Sequence, residues 1–205
     1  PVAANTSWTK LENSVEYAGF IPRIIDPVLT EILDDETVFN TANIREFTED
    51  YVLSQKGEVL VTKVRQAAQV DTVQFVVYRQ DLNGRYVKSQ TIVFEDKTKG
   101  YGTSFDISAD GATFAVSEPL NAEQGTDIGK VYVYAVSGEQ FDTENVSVLF
   151  PPSGQTAKYF GYSLAFNTGS LNIAAIDETN SIGEVLVYES IQNTLVYSEK
   201  LTYPV

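Results

Sequence analysis

Residues 100–134 read GYGTSFDISADGATFAVSEPLNAEQGTDIGKVYVY, and this stretch decides the fold. Apolar residues alternate through Ser104–Ile107, Thr113–Val116 and Val131–Tyr134, the period of half-buried strands. Ala109-Asp110-Gly111 turns the chain between the first two. The plan returns at 159–188, YFGYSLAFNTGSLNIAAIDETNSIGEVLVY, and in weaker form at 49–78. Tyr101-Gly102 is matched further along by Phe160-Gly161. Phe114-Ala115-Val116 is matched by Ile173-Ala174-Ala175 at the same offset, so no gap is expected between those strands. Gly129 and Tyr134 reappear at a smaller offset as Gly183 and Tyr188, with a shorter loop before them. In the first copy, Ser54 and Gly57 share one offset to Ser108 and Gly111, and Tyr78 matches Tyr134 at a slightly larger one. Length changes confined to loops are what a repeat array shows, because strands must keep their pairing.

Working outward, each copy gains a fourth strand. Asn83-Gly84 is a strong hairpin signal and returns the chain through Tyr86–Phe94. Val146–Phe150 and Thr194–Leu201 close the second and third units. Four strands at a period above fifty residues mark an all-β chain of antiparallel propeller blades. The expected units are 48–98, 99–154 and 155–205. Residues 1–12 read as the end of a preceding blade. Residues 13–47 read as a connector with a short helix, capped by Asp26 and started by Pro27, with Val28, Leu29, Ile32 and Leu33 on one face. A lone blade exposes two apolar faces, so about three blades imply a ring completed by sequence outside this chain. A chain beginning at Pro1 without Met is expected to be a segment or a processed product.

At Tyr101-Gly102, Ser108-Ala109-Asp110-Gly111, Phe114–Pro119 and Phe160–Ser163 the chain resembles the FG-GAP repeats of integrin-α-like β-propellers. The prokaryotic and viral variant is the nearest in pattern, with GKVYVY at 129–134 and GEVLVY at 183–188 fitting its last motif. The likeness covers about 48–205. It departs from the family where Ser117-Glu118-Pro119 stands for Gly-Ala-Pro, and where Phe47-Thr48 stands for phenylalanine-glycine. The resemblance implies a calcium loop at Asp106, Ser108 and Asp110, whose alternate oxygens have the required spacing. The plainer reading of the same residues is a hairpin turn.

Composition narrows the chemistry. The 205 residues carry 28 acids against 14 bases, a net charge of −14 that repels nucleic acid and anionic membranes. There is no apolar run long enough to span a membrane. With no His and no Cys, a Ser-His-Asp triad, a cysteine nucleophile and an imidazole zinc site are excluded within the chain. No catalytic residue and no cofactor is therefore expected. Gly125–Lys130 mimics a phosphate loop, but its spacing is one short and its counterpart at Gly183 precedes a strand. The sequons at Asn5 and Asn145 are a chance expectation in a chain rich in Asn, Ser and Thr. Tyr132, Tyr134 and Tyr188 read as blade packing. Glu118, Asp177 and Glu178 are loop carboxylates, the residues a glycosidase would draw on.

The expected function is a non-enzymatic structural or adhesion module in a phage virion, in a tail, nozzle, baseplate or fibre. Its expected partners are other protein subunits of a larger assembly, with a host-surface protein or glycan at its rim. The alternatives are a bacterial surface or secreted adhesin of the same repeats and a carbohydrate-active enzyme.

Overall fold

The computed structural model describes residues 46–66, 72–95, 100–155, 157–179, 181–191 and 194–202. The readings of 1–12 and of a helix near Asp26 lie outside these. Every regular element among the described residues is a strand, and no described helix is long and apolar enough to cross a membrane.

Three antiparallel sheets follow one another in sequence. The first is an up-and-down run of β1 (Glu46–Leu53), β2 (Val59–Gln66), β3 (Thr72–Gln80) and β4 (Tyr86–Glu95). It starts at Glu46, just ahead of the expected boundary. Its last turn is closed by Asp81, whose Oδ1 accepts the N–H groups of Asn83 and Arg85, leaving Gly84 at φ +76°.

The second sheet pairs β5 (Phe105–Ile107), β6 (Thr113–Glu118) and β7 (Lys130–Ser137). Its outer strand is split into β8 (Gln140–Phe141) and β9 (Ser147–Leu149), both on β7. The third carries a split inner strand, β10 (Ala157–Lys158) and β11 (Leu164–Asn167). Beyond it lie β12 (Ser170–Asp177), β13 (Ile182–Ile191) and β14 (Thr194–Thr202). The four-strand units read from the sequence are thus present as sheets, with the outer edge of the second and the inner edge of the third interrupted.

The sheets stack face to face as successive blades. The alternation of β2 and β3 turns Val59, Val61, Phe75 and Val77 to one side, where they meet Phe105, Phe114, Val116 and Tyr134 of the second sheet. Phe75 is fully buried, with its ring 4.9 Å from Phe105, 5.4 Å from Phe114 and 5.7 Å from Phe94, all edge-on. The opposite side of the second sheet, Ala115, Val131 and Val133, receives Phe160, Leu164, Leu171 and Ile173 of the third. Tyr134 and Tyr188 are buried in these two cores. The middle sheet is therefore apolar on both faces, as a blade between neighbours must be.

Register corrects the expected alignment. Gly102 N–H donates to Ser117 O, and Gly161 N–H donates to Ala174 O. The two glycines stand further apart along the chain than their two acceptors do, so Phe114 corresponds to Leu171 rather than Ile173. The cause is the turn. Asn167 and Ser170 pair across Thr168-Gly169, a two-residue loop, whereas Ile107 pairs with Phe114 across a longer loop built on Ser108 and Asp110. Small apolar residues on both faces of β12 made the ungapped match look sound.

Candidate functional site

The two interfaces between sheets are filled differently. The first is packed with aromatic rings. The second meets small residues, and where it approaches the hairpin turns it opens into a cleft of about 740 Å³. Val133, Ala135, Leu149, Phe166 and Leu195 are among its apolar lining residues. Hydroxyls and amides share the lining, among them Ser108, Asn145, Ser147, Asn167, Thr168 and Ser170. Asp110 is the one ionisable side chain among the lining residues. The break between β8 and β9 helps make the opening. Asp142 turns the chain there by accepting the N–H groups of Glu144 and Asn145 and the Asn145 side-chain amide.

The residues with calcium-loop spacing fall at this end of the sheets, and the structure gives them separate duties. Ser108 Oγ donates to Asp110 Oδ1 at 2.6 Å and accepts Thr113 N–H at 2.9 Å, while Asp110 Oδ1 also accepts Ala112 N–H. The Ser108 hydroxyl and then the Ala112 amide hold the Asp110 carboxyl below the ordinary Asp value. Asp106 turns elsewhere. Its Oδ2 accepts Phe166 N–H of the third sheet at 2.6 Å and its Oδ1 accepts Ile107 N–H. Ser104 Oγ accepts Leu164 N–H in the same way. The inner strand β11 thus finds acceptors on side chains of β5 and the residue before it, a substitute for strand pairing at the inner edge. Among the described residues no three His, Cys, Asp or Glu side chains gather where they could hold a metal ion.

The loop carboxylates are also engaged. Glu118 is fully buried at the end of β6. Its Oε1 accepts from Asn121 Nδ2 at 2.9 Å, its Oε2 accepts from Tyr132 OH at 2.8 Å, and Lys130 Nζ stands 3.6 Å away. Tyr132 and Tyr101 join hydroxyls at 3.0 Å, and burial pushes both phenols above their ordinary value. Lys130 also reaches Glu123 at 2.6 Å and lies 5.0 Å from the centre of the Tyr132 ring. Burial alone would lower the Lys130 ammonium, but Glu123 and Glu118 outweigh it and hold it above its usual value. Lys130 is therefore the first residue of a strand held by carboxylates. In the third sheet Glu184 takes its place and pairs to the other side, with Lys200 of the outer strand at 3.0 Å, while Ala175 stands where Glu118 does. Asp177 lies 3.8 Å from Lys200, and Glu178 pairs with Lys158 at 2.6 Å.

Of the site residues read from sequence, Ser108 and Asp110 border the cleft, and Asp106 and Glu118 are interior ties. Asn5 lies outside the described residues, and Asn145 lines the cleft. Phe166, Ser147 and Ser170 were missed because no local motif marks them. Only the stacking of the second sheet on the third brings them together.

No protein-family model matches the chain, and no curated protein matches it. Among solved structures it is similar to a puromycin hydrolase, at 12% identity and a TM-score of 0.35 over 75% of this chain and 29% of that one. It is also similar to a structure from a study of two prolyl endopeptidases, at 11% identity and a TM-score of 0.29 over 78% of this chain and 34% of the other. The chain thus spans about a third of the length of either, and at this similarity neither protein's chemistry transfers to it.

Proposed function

We propose that the chain is a non-catalytic β-blade module that docks an uncharged polar partner in the cleft between its second and third sheets. The observation that carries this is the lining: hydroxyls and amides interspersed with apolar side chains, with Asp110 alone able to ionise and already bound by Ser108 and Ala112. General acid–base chemistry on a glycan needs two carboxyls facing one bond. Here Glu118 is buried, and Asp177 and Glu178 stand beside lysines away from the cleft. Hydroxyls and amides suit a host-surface glycan or the polar surface of a neighbouring subunit. The repeat resemblance supports placing the module in a virion, where a rigid unit of this kind serves assembly or attachment.

The test is binding of the chain to an array of neutral and acidic glycans and to host-surface protein, beside a Ser170→Trp variant that fills the cleft. The expected result is a partner retained by the natural chain and lost by the variant at unchanged Tm, with no reducing ends released. Release of reducing ends, or binding indifferent to the filled cleft, overturns the reading.

A further inference from the structure

The outward face of the third sheet repeats three aliphatic positions of the face by which the second sheet receives the third, with Asn172 where Ala115 stands. Pairing sets the correspondence. Val131 lies opposite Leu149 as Val185 lies opposite Leu201, and Ser117 and Ala174 accept the equivalent glycine N–H groups. Val131, Val133 and Leu149 therefore correspond to Val185, Val187 and Leu201. In the second sheet Val131 is fully buried, covered by the third. In the third sheet Val187 is 9% exposed and Val185 half-buried, while Leu201 at the outer strand is 51% exposed, with Ile176 at 38% on the same face.

A glycine supplies a second, independent sign. Gly129 lies against the backbone of the next sheet's first residues. A Cβ there would stand 2.3 Å from Phe160 O and 2.8 Å from Phe160 N. Tyr159 and Phe160 donate their N–H groups to Asp127 O and Ile128 O in the same seam. Gly183 is its counterpart, and a Cβ there meets nothing within 4 Å. The third sheet keeps the glycine while the space that requires it is open.

We infer that the face formed by Ala174, Val185, Val187 and Leu201, with Gly183 at its edge, is a docking surface for a further four-stranded blade that opens with an aromatic-glycine pair and comes from sequence other than these 205 residues. A second copy of the chain does not fit the role. Its first sheet begins with Phe47-Thr48 in place of that pair, and Leu60 and Val76, on the outward face of that sheet, are already 1% and 6% exposed. The surface is separate from the cleft and stands whatever the cleft binds.

The experiment compares the 205-residue chain with the same chain carrying a second copy of residues 155–205 after Val205, which supplies the Phe160-Gly161 pair as the probe. Each is also made with Gly183→Val, and separately with Leu201→Asp, in the original third unit. The expected result is a Tm gain of about 5 °C or more and reduced hydrophobic-dye binding in the extended chain, both cancelled by either substitution. Neither substitution shifts the Tm of the chain alone by more than about 1 °C. Absence of the gain, or a gain that survives Gly183→Val, overturns the inference. So does self-association of the chain alone that Leu201→Asp abolishes, which assigns the face to a second copy.

Discussion

Replacing Gly129 by alanine tests how closely consecutive sheets are joined. Gly129 has φ +86°, where an L side chain costs about 1–3 kcal/mol. Its Cβ would fall 2.3 Å from Phe160 O and 3.0 Å from Pro119 O, both backbone atoms that cannot rotate away. Relief requires the two segments to part by about an ångström, which ends the Tyr159 N–H to Asp127 O bond at 2.7 Å and the Phe160 N–H to Ile128 O bond at 2.9 Å. Each is worth about 1 kcal/mol net, so the substitution costs about 3–5 kcal/mol in all. That is a large share of the roughly 5–15 kcal/mol available to a domain. Gly183→Ala is the control. It sits in β13 without a positive φ and with open space about it, so alanine there is neutral or stabilises by a few tenths of a kcal/mol. Urea denaturation followed by tyrosine fluorescence measures both. If Gly129→Ala costs no more than Gly183→Ala, the seam is not tight and the argument from it fails.

Asp106→Ala leaves Phe166 N–H without its acceptor and costs about 1–3 kcal/mol, while Asp106→Asn, which keeps an oxygen, costs less; chemical denaturation of the pair measures the difference. Glu118→Ala leaves Asn121 Nδ2 without its acceptor in a buried site, Tyr132 OH with Tyr101 alone and Lys130 without its buried carboxylate, and costs about 3–5 kcal/mol, read from the shift in denaturation midpoint; a loss under about 1 kcal/mol would mean water fills the place at no cost. For Asp110 the folded carboxyl titrates below its ordinary 3.8, so its contribution is complete above that value and is lost as pH falls through the folded one. Asp110→Asn should remove that acid-limb dependence, and Tm scans between neutral and strongly acid pH show whether the two proteins converge at low pH.

Strands were the legible part of this sequence. Alternation through Phe114–Val116 and Val131–Tyr134, and the turn at Asn83-Gly84, act over short stretches, so a single chain displays them. Register was less legible. Phe-Ala-Val and Ile-Ala-Ala look alike as letters, yet Ala174 corresponds to Ser117 because the Thr168-Gly169 turn is shorter than the turn on Asp110. Side-chain duties were the least legible. Asp106 has calcium-loop spacing in the sequence, and its partner is the Phe166 amide, far along the chain in another sheet. Glu118 precedes a proline in what looks like an exposed loop, and only Tyr132 and Asn121 closing over it make it interior.

These side chains share one physical task. Neighbouring sheets in such a stack are not continuous ladders, so the backbone groups on facing edges lack strand partners and must find others. At the inner edge Ser104 and Asp106 accept the N–H groups of Leu164 and Phe166. Near the outer edge of the first interface the Gln90 amide spans from β4 to β8, donating to Phe141 O at 2.8 Å and accepting Phe141 N–H at 2.9 Å. Gln140 returns a bond to Ser89 O. The aromatic cluster around Phe75 then fills the space between. The second interface has the inner ties but small residues on its receiving face, so sheets fixed at their seam stand apart toward the turns. The cleft is thereby held open by the same bonds that hold the sheets together. A partner entering it need not order the walls, and that lowers the entropic cost of binding.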